Sequence, residues 1–174
     1  RRQAFDLVRI YWRGLTPQTA YTVEQFCRQQ LAALGEQDFY LSEWWLVLLS
    51  RALLVQGGDT KRREAKVHID EALKYVDTYG TPALKIQLLC DQLYCVLYFR
   101  TKDLAYNEFG QICAFYLTEV QQGRIVGESQ EIAQMALKSL ATQIPNPQQV
   151  VISLAASFPN TPALMTLMSL FSQL

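Results

Sequence analysis

The sequence is poor in the residues that most catalytic and metal sites require. It contains a single histidine, His68, so a histidine-based metal cluster is excluded. Neither a G-x-S-x-G nucleophile turn nor a phosphate-binding loop pattern occurs. His68 follows Glu64 at the spacing of a helical side-chain pair, and an enzyme would have to rest on this pair and on scattered carboxylates. We therefore predict that the chain is not an enzyme and uses no cofactor.

Charged side chains and long apolar runs are also scarce. Only 18% of the residues are charged, and 16 basic residues balance 16 acidic ones, so no overall field attracts nucleic acid or an anionic membrane. The longest apolar stretch, residues 44–55, is interrupted by Ser50 and Arg51. A membrane-spanning helix needs about 20 apolar residues, and we therefore predict no membrane insertion.

Cysteine pairs with the spacing of a zinc or redox site are absent. Four cysteines lie within apolar helical patterns, and none forms a C-x-x-C pair. They are Cys27, Cys90, Cys95 and Cys113. Buried free thiols are typical of a reducing compartment, so we expect an intracellular protein, cytoplasmic or nuclear. Because the chain begins at Arg1 and shows no secretory signal pattern, we also expect a fragment of a longer protein.

Proline and glycine mark the ends of the predicted helices. A small polar residue before proline is typical of a helix start, because the polar side chain caps the first turn and proline lacks an amide hydrogen that would need a partner there. Such pairs occur at residues 16–17, 81–82, 146–147 and 161–162. Glycine favours helix ends, and the glycines at positions 14, 35, 57, 58, 80 and 123 each follow a segment of helical length.

Between these marks the apolar residues follow the 3.6-residue helical period, which predicts an all-α fold. The nine expected helices cover residues 3–13, 18–34, 38–56, 60–79, 82–100, 103–122, 128–143, 147–157 and 162–173. Segment 60–79 has one apolar and one charged face, whereas 38–56 is apolar all round and should be covered on several sides. We predict a single domain, residues 1–174, built from antiparallel helical hairpins.

A spacing of small and large residues recurs in the middle of the chain. Ala65, Ile69 and Ala72 are spaced like the small, large and small residues in the second helix of a tetratricopeptide repeat. Ala105, Phe109 and Ile112 repeat this spacing, with Ile where a small residue is usual. The interval from Ala65 to Ala105 is 40 residues instead of 34, and the aromatic and Leu-Gly pair usual in the first helix is absent. Residues 38–122 thus resemble a degenerate tetratricopeptide or related α-solenoid array, with an irregular helical bundle as the alternative. The resemblance implies an adaptor that binds an extended segment or a helix of a partner in a concave groove.

A basic run offers one possible binding surface. Lys61, Arg62, Arg63 and Lys66 carry charges that suit an acidic partner or a phosphate backbone. Acidic residues nearby in the sequence balance these charges, so the run also fits an ordinary solvated helix face.

Tyrosines near a helix-hairpin turn are candidates for contacts in a groove. Tyr94, Tyr98 and Tyr106 flank the turn between segments 82–100 and 103–122. Aromatic residues are enriched at protein interfaces, although most tyrosines complete a core with the hydroxyl at its edge.

The end of the chain carries no charge at all. Residues 139–174 contain no Asp, Glu, Lys or Arg, although surface helices usually carry charges on their outward faces. The last helix adds apolar residues beyond the width of one packing face, and we expect a partner to bind them. These residues are Leu164, Met165, Leu167, Met168, Phe171 and Leu174. The alternatives are a tail that folds back on the core and the inner part of a repeat array.

These features favour a protein–protein interaction scaffold or adaptor within a larger intracellular complex. Its expected partner is a helix or extended segment of another protein, or a second copy of the chain, bound in a helical groove or on the apolar C-terminal face. The alternative is a nucleic-acid-associated helical protein that uses the basic run.

Overall fold

The computed structural model of the chain describes residues 2–35, 39–159 and 161–174. These ranges form nine α-helices and no strand, which confirms the all-α prediction. The helices are α1 (Arg2–Arg13), α2 (Ala20–Leu34), α3 (Phe39–Gln56), α4 (Asp59–Tyr79), α5 (Pro82–Val96), α6 (Lys102–Gln121), α7 (Glu128–Ala141), α8 (Pro147–Leu154) and α9 (Pro162–Ser172). Arg1 and the expected third-helix start at position 38 lie outside the described residues.

Threonine caps begin three of the helices. Thr81 Oγ1 accepts a hydrogen bond from the Leu84 amide at 3.2 Å, and Thr161 Oγ1 accepts one from the Leu164 amide at 3.3 Å. Proline follows each of these threonines at the start of its helix, as the sequence predicts. Thr101 caps α6 in the same way without a proline. Helix starts at 82 and 162 are therefore confirmed.

The expected start near Thr16 is wrong by a few residues. α2 begins at Ala20, because Thr16 and Thr19 instead form a turn in which the Thr16 amide donates to Thr19 Oγ1 at 2.8 Å. Thr19 Oγ1 in turn donates to the Gly14 carbonyl at 2.6 Å. The proline therefore lies in a turn stabilised by threonine side chains instead of in the helix itself.

The first compact unit, Arg1–Gly80, contains α1 to α4. α3 packs against α1, α2 and α4, which confirms that the apolar helix is covered on several sides. On α4 one face is buried and the opposite face carries exposed charged residues, as the amphipathic pattern predicts. The largest core side chains of α3 and α4 are Trp45, Leu48, Leu49, Leu53 and Ile69.

The second compact unit, Thr81–Leu174, contains α5 to α9. α5 packs against α6 and α7, α6 packs against α8, and α8 packs against α9. A short 3-10 turn, Leu97–Phe99, ends α5 four residues earlier than predicted and leads into α6. The core of the unit is formed by buried apolar residues that include Phe109, Tyr116, Leu117, Leu137, Val151, Leu167 and Phe171.

We also predicted that residues 1–174 form a single domain. The division into two compact units does not test this, and it stays a prediction. In the described ranges, none of the helices has both the length and the apolar character needed to cross a lipid bilayer.

Candidate functional site

A groove of about 740 Å³ opens between α6 and α8 in the second unit. Tyr106, Gly110 and Ala114 line it from α6 and recur every four residues, so they share one face of that helix. Val150 and Leu154 line it at the same interval from α8. These residues are buried or half-buried. They form the mainly apolar floor of the groove.

Gly110 of α6 faces Val150 of α8 at the middle of this floor. A Cβ atom at position 110 would lie 3.5 Å from Val150 Cγ1, which is ordinary van der Waals contact. A methyl group would therefore fit at this position, although a glycine inside a helix costs about 1 kcal/mol relative to alanine. Here a side chain longer than a methyl group would project into the groove.

Four carboxamide side chains stand above the floor. Asn107 and Gln111 on α6, Asn146 before α8 and Gln149 on α8 line the groove and are exposed. Within the described part of the chain, none of the four side chains forms a hydrogen bond with the protein. Each carboxamide has both donor and acceptor atoms, so the groove presents neutral groups that match the N–H and C=O groups of a peptide backbone.

Among the residues that line the groove, only two are charged, and they are neighbours at one end of it. Lys102 and Asp103, at the first turn of α6, carry opposite charges and are exposed. The Lys102 ammonium group lies 5.8 Å from the centre of the Tyr106 ring. The remaining lining is uncharged, and the α8 side belongs to the charge-free region from Ser139 to Leu174.

Two exposed aromatic residues precede α6, and we call them the aromatic step. Tyr98 and Phe99 are 84% and 78% exposed, and their rings pack edge to face with centroids 5.4 Å apart. Three Cα–Cα steps separate Phe99 from Lys102, so their Cα atoms are at most about 11 Å apart. The aromatic step therefore lies close to the charged end of the groove.

The tyrosines singled out from the sequence have different surroundings. Tyr106 lines the groove, Tyr98 belongs to the aromatic step, and Tyr94 packs against the core. Sequence reasoning did not single out Asn107, Gln111 or the α8 residues that face them.

The uncharged last helix is only partly exposed, which corrects the expected C-terminal face. Leu164, Leu167 and Phe171 are buried, with 2%, 0% and 0% exposure, because they pack into the core of the second unit. The Phe171 ring lies 5.6 Å from that of Phe109 on α6. These three residues therefore present no surface to a partner, and this part of the tail folds back on the core.

The other half of the expected face does reach solvent. Met165, Met168 and Leu174 are 60%, 36% and 48% exposed. Their contact with a partner stays a prediction.

Ion pairs occupy part of the basic run on α4. Lys61 Nζ lies 2.8 Å from Glu24 Oε1, and Lys66 Nζ lies 2.5 Å from Asp70 Oδ2. Arg62 also takes part in interactions with its surroundings, and Arg63 is exposed. The run is therefore largely engaged with the protein's own groups instead of forming one free basic surface.

A polar network joins α2, α3 and α4 around the buried carboxylate of Glu24. Gln56 Nε2 donates to Glu24 Oε1 at 2.9 Å, and Arg28 bridges Glu24 to Glu64. Burial raises the pKa of Glu24, but the hydrogen bonds from Lys61, Gln56 and Arg28 outweigh this effect and hold the pKa below its usual range. The network is a structural tie between the helices.

His68 takes part in the outer edge of that network. Its Nε2 atom lies 3.4 Å from Glu64 Oε1, and the ring is half-buried. Glu64 is itself paired with Arg28 at 2.8 Å, so the carboxylate serves an ion pair between helices as well as the histidine. This arrangement fits the expected helical side-chain pair.

Neither metal binding nor thiol chemistry has an evident location in the described ranges. No group of three or more histidine, cysteine, aspartate or glutamate side chains is placed to hold a metal ion there. All four cysteines are buried and lie outside any disulfide bond. Burial raises the pKa of Cys27 to about 12 and also raises that of Cys113, so both remain protonated thiols near neutral pH.

Searches of protein-family models, curated proteins and solved structures return no match for this chain.

Proposed function

We propose that the chain is a protein-binding scaffold that holds a segment of a partner in the groove between α6 and α8. The observation that carries this proposal is an apolar floor flanked by four carboxamides that have no partner within the described chain. An apolar floor binds side chains through burial, and carboxamides orient a ligand through hydrogen bonds.

The helix packing supports a scaffold made of hairpins. In the second unit α5 contacts both α6 and α7, and α6 contacts α8, so alternate helices pack on each other as well as neighbours. In the first unit α1 contacts α3, and the neighbouring helices pack as α2 on α3 and α3 on α4. Stacked helical hairpins of the tetratricopeptide kind have this alternate packing, and their grooves are their binding surfaces. We place the protein in the cytoplasm or nucleus, where four buried cysteines outside any disulfide bond stay reduced.

Peptide display followed by binding measurements tests the proposal. A library of random peptides of about twelve residues is selected on the intact chain, and the selected peptides are mapped by chemical shift changes in the isotope-labelled protein. We expect changes in α6 and α8, and loss of binding in Asn107→Ala and Gln111→Ala. Gln121→Ala is the matched control, because Gln121 is an exposed carboxamide on α6 that does not line the groove.

A second variant tests the groove without removing a polar group. Gly110→Gln should fill the middle of the floor and block peptides, whereas Gly110→Ala adds only one methyl group. Peptides that map to another surface, or that bind Gly110→Gln with unchanged affinity, would overturn the proposal.

The nucleic-acid alternative has less support. Lys61 and Lys66 form ion pairs with Glu24 and Asp70, so binding a phosphate backbone would have to displace those carboxylates. Salt-dependent binding to RNA or DNA that weakens when the basic run is neutralised would support the nucleic-acid alternative.

A further inference from the structure

We propose that the segment bound in the groove is an extended chain with uncharged side chains, continued by an apolar residue that packs on the aromatic step. This inference rests on the proposed function of the groove and specifies the chemistry of its ligand.

The lining argues for uncharged side chains in the bound stretch. Apart from Lys102 and Asp103 at one end, every lining residue is neutral. A charged ligand side chain packed on the apolar floor would lose hydration and meet no opposite charge, which is unfavourable. Lys102 and Asp103 carry opposite signs, so the charged end does not select a ligand of either sign.

The dimensions argue for an extended backbone. The lining of α6 runs from Lys102 to Ala114, which corresponds to about 18 Å of helix axis. An extended chain rises about 3.3 Å per residue, so about five residues cover this distance. The exposed carboxamides on both sides can donate to and accept from the backbone of such a chain, because the N–H and C=O groups of an extended chain have no partners within it.

The aromatic step supplies a site for an apolar side chain outside the groove. Tyr98 and Phe99 are among the most exposed large apolar residues of the described chain, and Leu104, in the first turn of α6, is 51% exposed. Because Phe99 lies at most about 11 Å from Lys102, an extended ligand reaches it within about three residues of the charged end. Aromatic residues are enriched at interfaces and dominate their binding energy.

The selected peptides and two sets of variants test this inference. We expect sequences with an uncharged stretch of about five residues and, within about three residues of it, a large apolar residue. The double variant Tyr98→Ser with Phe99→Ser should weaken binding at least about tenfold. A peptide whose apolar residue is replaced by serine should bind the wild-type chain and the double variant equally.

Matched controls separate this inference from the proposed function. Tyr21→Ser replaces a tyrosine of the first unit that is 62% exposed, and it should leave peptide affinity unchanged. If the aromatic variant binds normally, or if charged stretches are selected, the inference fails, while loss of binding in Asn107→Ala and Gln111→Ala still supports the groove. If neither the groove variants nor the aromatic variant changes affinity, both proposals fail.

Discussion

Replacing Glu43 with glutamine should remove a decrease in the free energy of unfolding of the first unit that occurs as the pH rises. Glu43 lies on α3, where its side chain is 6% exposed and its Oε1 atom is buried without a hydrogen-bond partner in the described structure. Burial, with a smaller contribution from repulsion by Glu71, raises the pKa of Glu43 from 4.5 to about 7. The folded chain therefore binds a proton at Glu43 that the unfolded chain releases between these values.

The direction of the pH effect follows from proton linkage. Below pH 4.5 Glu43 is protonated in both the folded and the unfolded chain, so its ionisation does not lower the free energy of unfolding. As the pH rises through the window from 4.5 to about 7, the unfolded state gains stability by releasing the proton, so the free energy of unfolding falls. At about 1.4 kcal/mol per pKa unit the full loss is about 3 kcal/mol above pH 7.

Tryptophan fluorescence offers a selective assay for this effect. All three tryptophans, Trp12, Trp44 and Trp45, lie on α1 or α3 in the first unit, so their fluorescence reports its unfolding in urea. The wild-type curve of unfolding free energy against pH should fall relative to that of Glu43→Gln between pH 4.5 and about 7.

The buried amide of Glu43→Gln adds a cost of its own, but that cost does not depend on pH. Glu71→Gln is a second probe, because removing the repulsion should lower the folded-state pKa of Glu43 and so bring the upper end of the window to lower pH. A constant difference between wild type and Glu43→Gln across pH 4.5 to 8 would show that the carboxyl group does not take up a proton on folding.

Three further predictions concern the core, the groove floor and the polar network, each read from urea denaturation followed by circular dichroism. Phe171→Ala should cost about 3–5 kcal/mol because the ring is fully buried, whereas Met165→Ala should change stability by less than about 0.5 kcal/mol; equal effects would contradict their different burial. Gly110→Ala should stabilise the chain by about 0.5–1 kcal/mol, and a destabilisation would mean that Val150 leaves no room for a methyl group. Glu24→Gln should cost about 1–2 kcal/mol at neutral pH and less as the pH falls below 4.5, where the carboxylate loses its advantage; a cost independent of pH would argue against the ion pairs.

Helix positions were predictable because local chemistry sets them. The Thr-Pro pairs at 81–82 and 161–162 begin α5 and α9 through hydrogen bonds within four residues. Gly35 ends α2, and Gly80 ends α4. Where a different local bond competed, as between Thr16 and Thr19, the predicted boundary was displaced. The amphipathic pattern of α4 fixed its buried face, since residues on one face of a helix recur with a known period.

Half of the residues expected on the exposed face of the C-terminal helix are buried, and composition alone could not show which half. Residues 139–174 lack charge, but α9 still has an inner face with Leu164, Leu167 and Phe171 and an outer face with Met165 and Met168. The outer face also carries Ser169 and Ser172, but neither face carries a charge, so the polar contrast that separates them is weak. The packing of α9 against α6, α7 and α8 makes that distinction.

The groove was not predictable from the sequence because its two walls are distant along the chain. Gly110 and Val150 meet only through the packing of α6 on α8, and no local pattern specifies that contact. An interior glycine among polar residues at positions 103, 107 and 111 was the available signal, since a glycine within a helix is unfavourable and leaves open space beside the backbone.

The lack of charge near the C-terminus has a second consequence at the groove. α8 lies within the uncharged region and forms one whole wall, so its contribution to binding is limited to apolar contact and neutral hydrogen bonds. On the opposite wall the charges of Lys102 and Asp103 lie at one end and cancel. A ligand that binds there gains little from long-range attraction, and its affinity should depend only weakly on salt. The same measurement separates this groove from the basic run on α4, whose binding to a polyanion would fall steeply as salt is added.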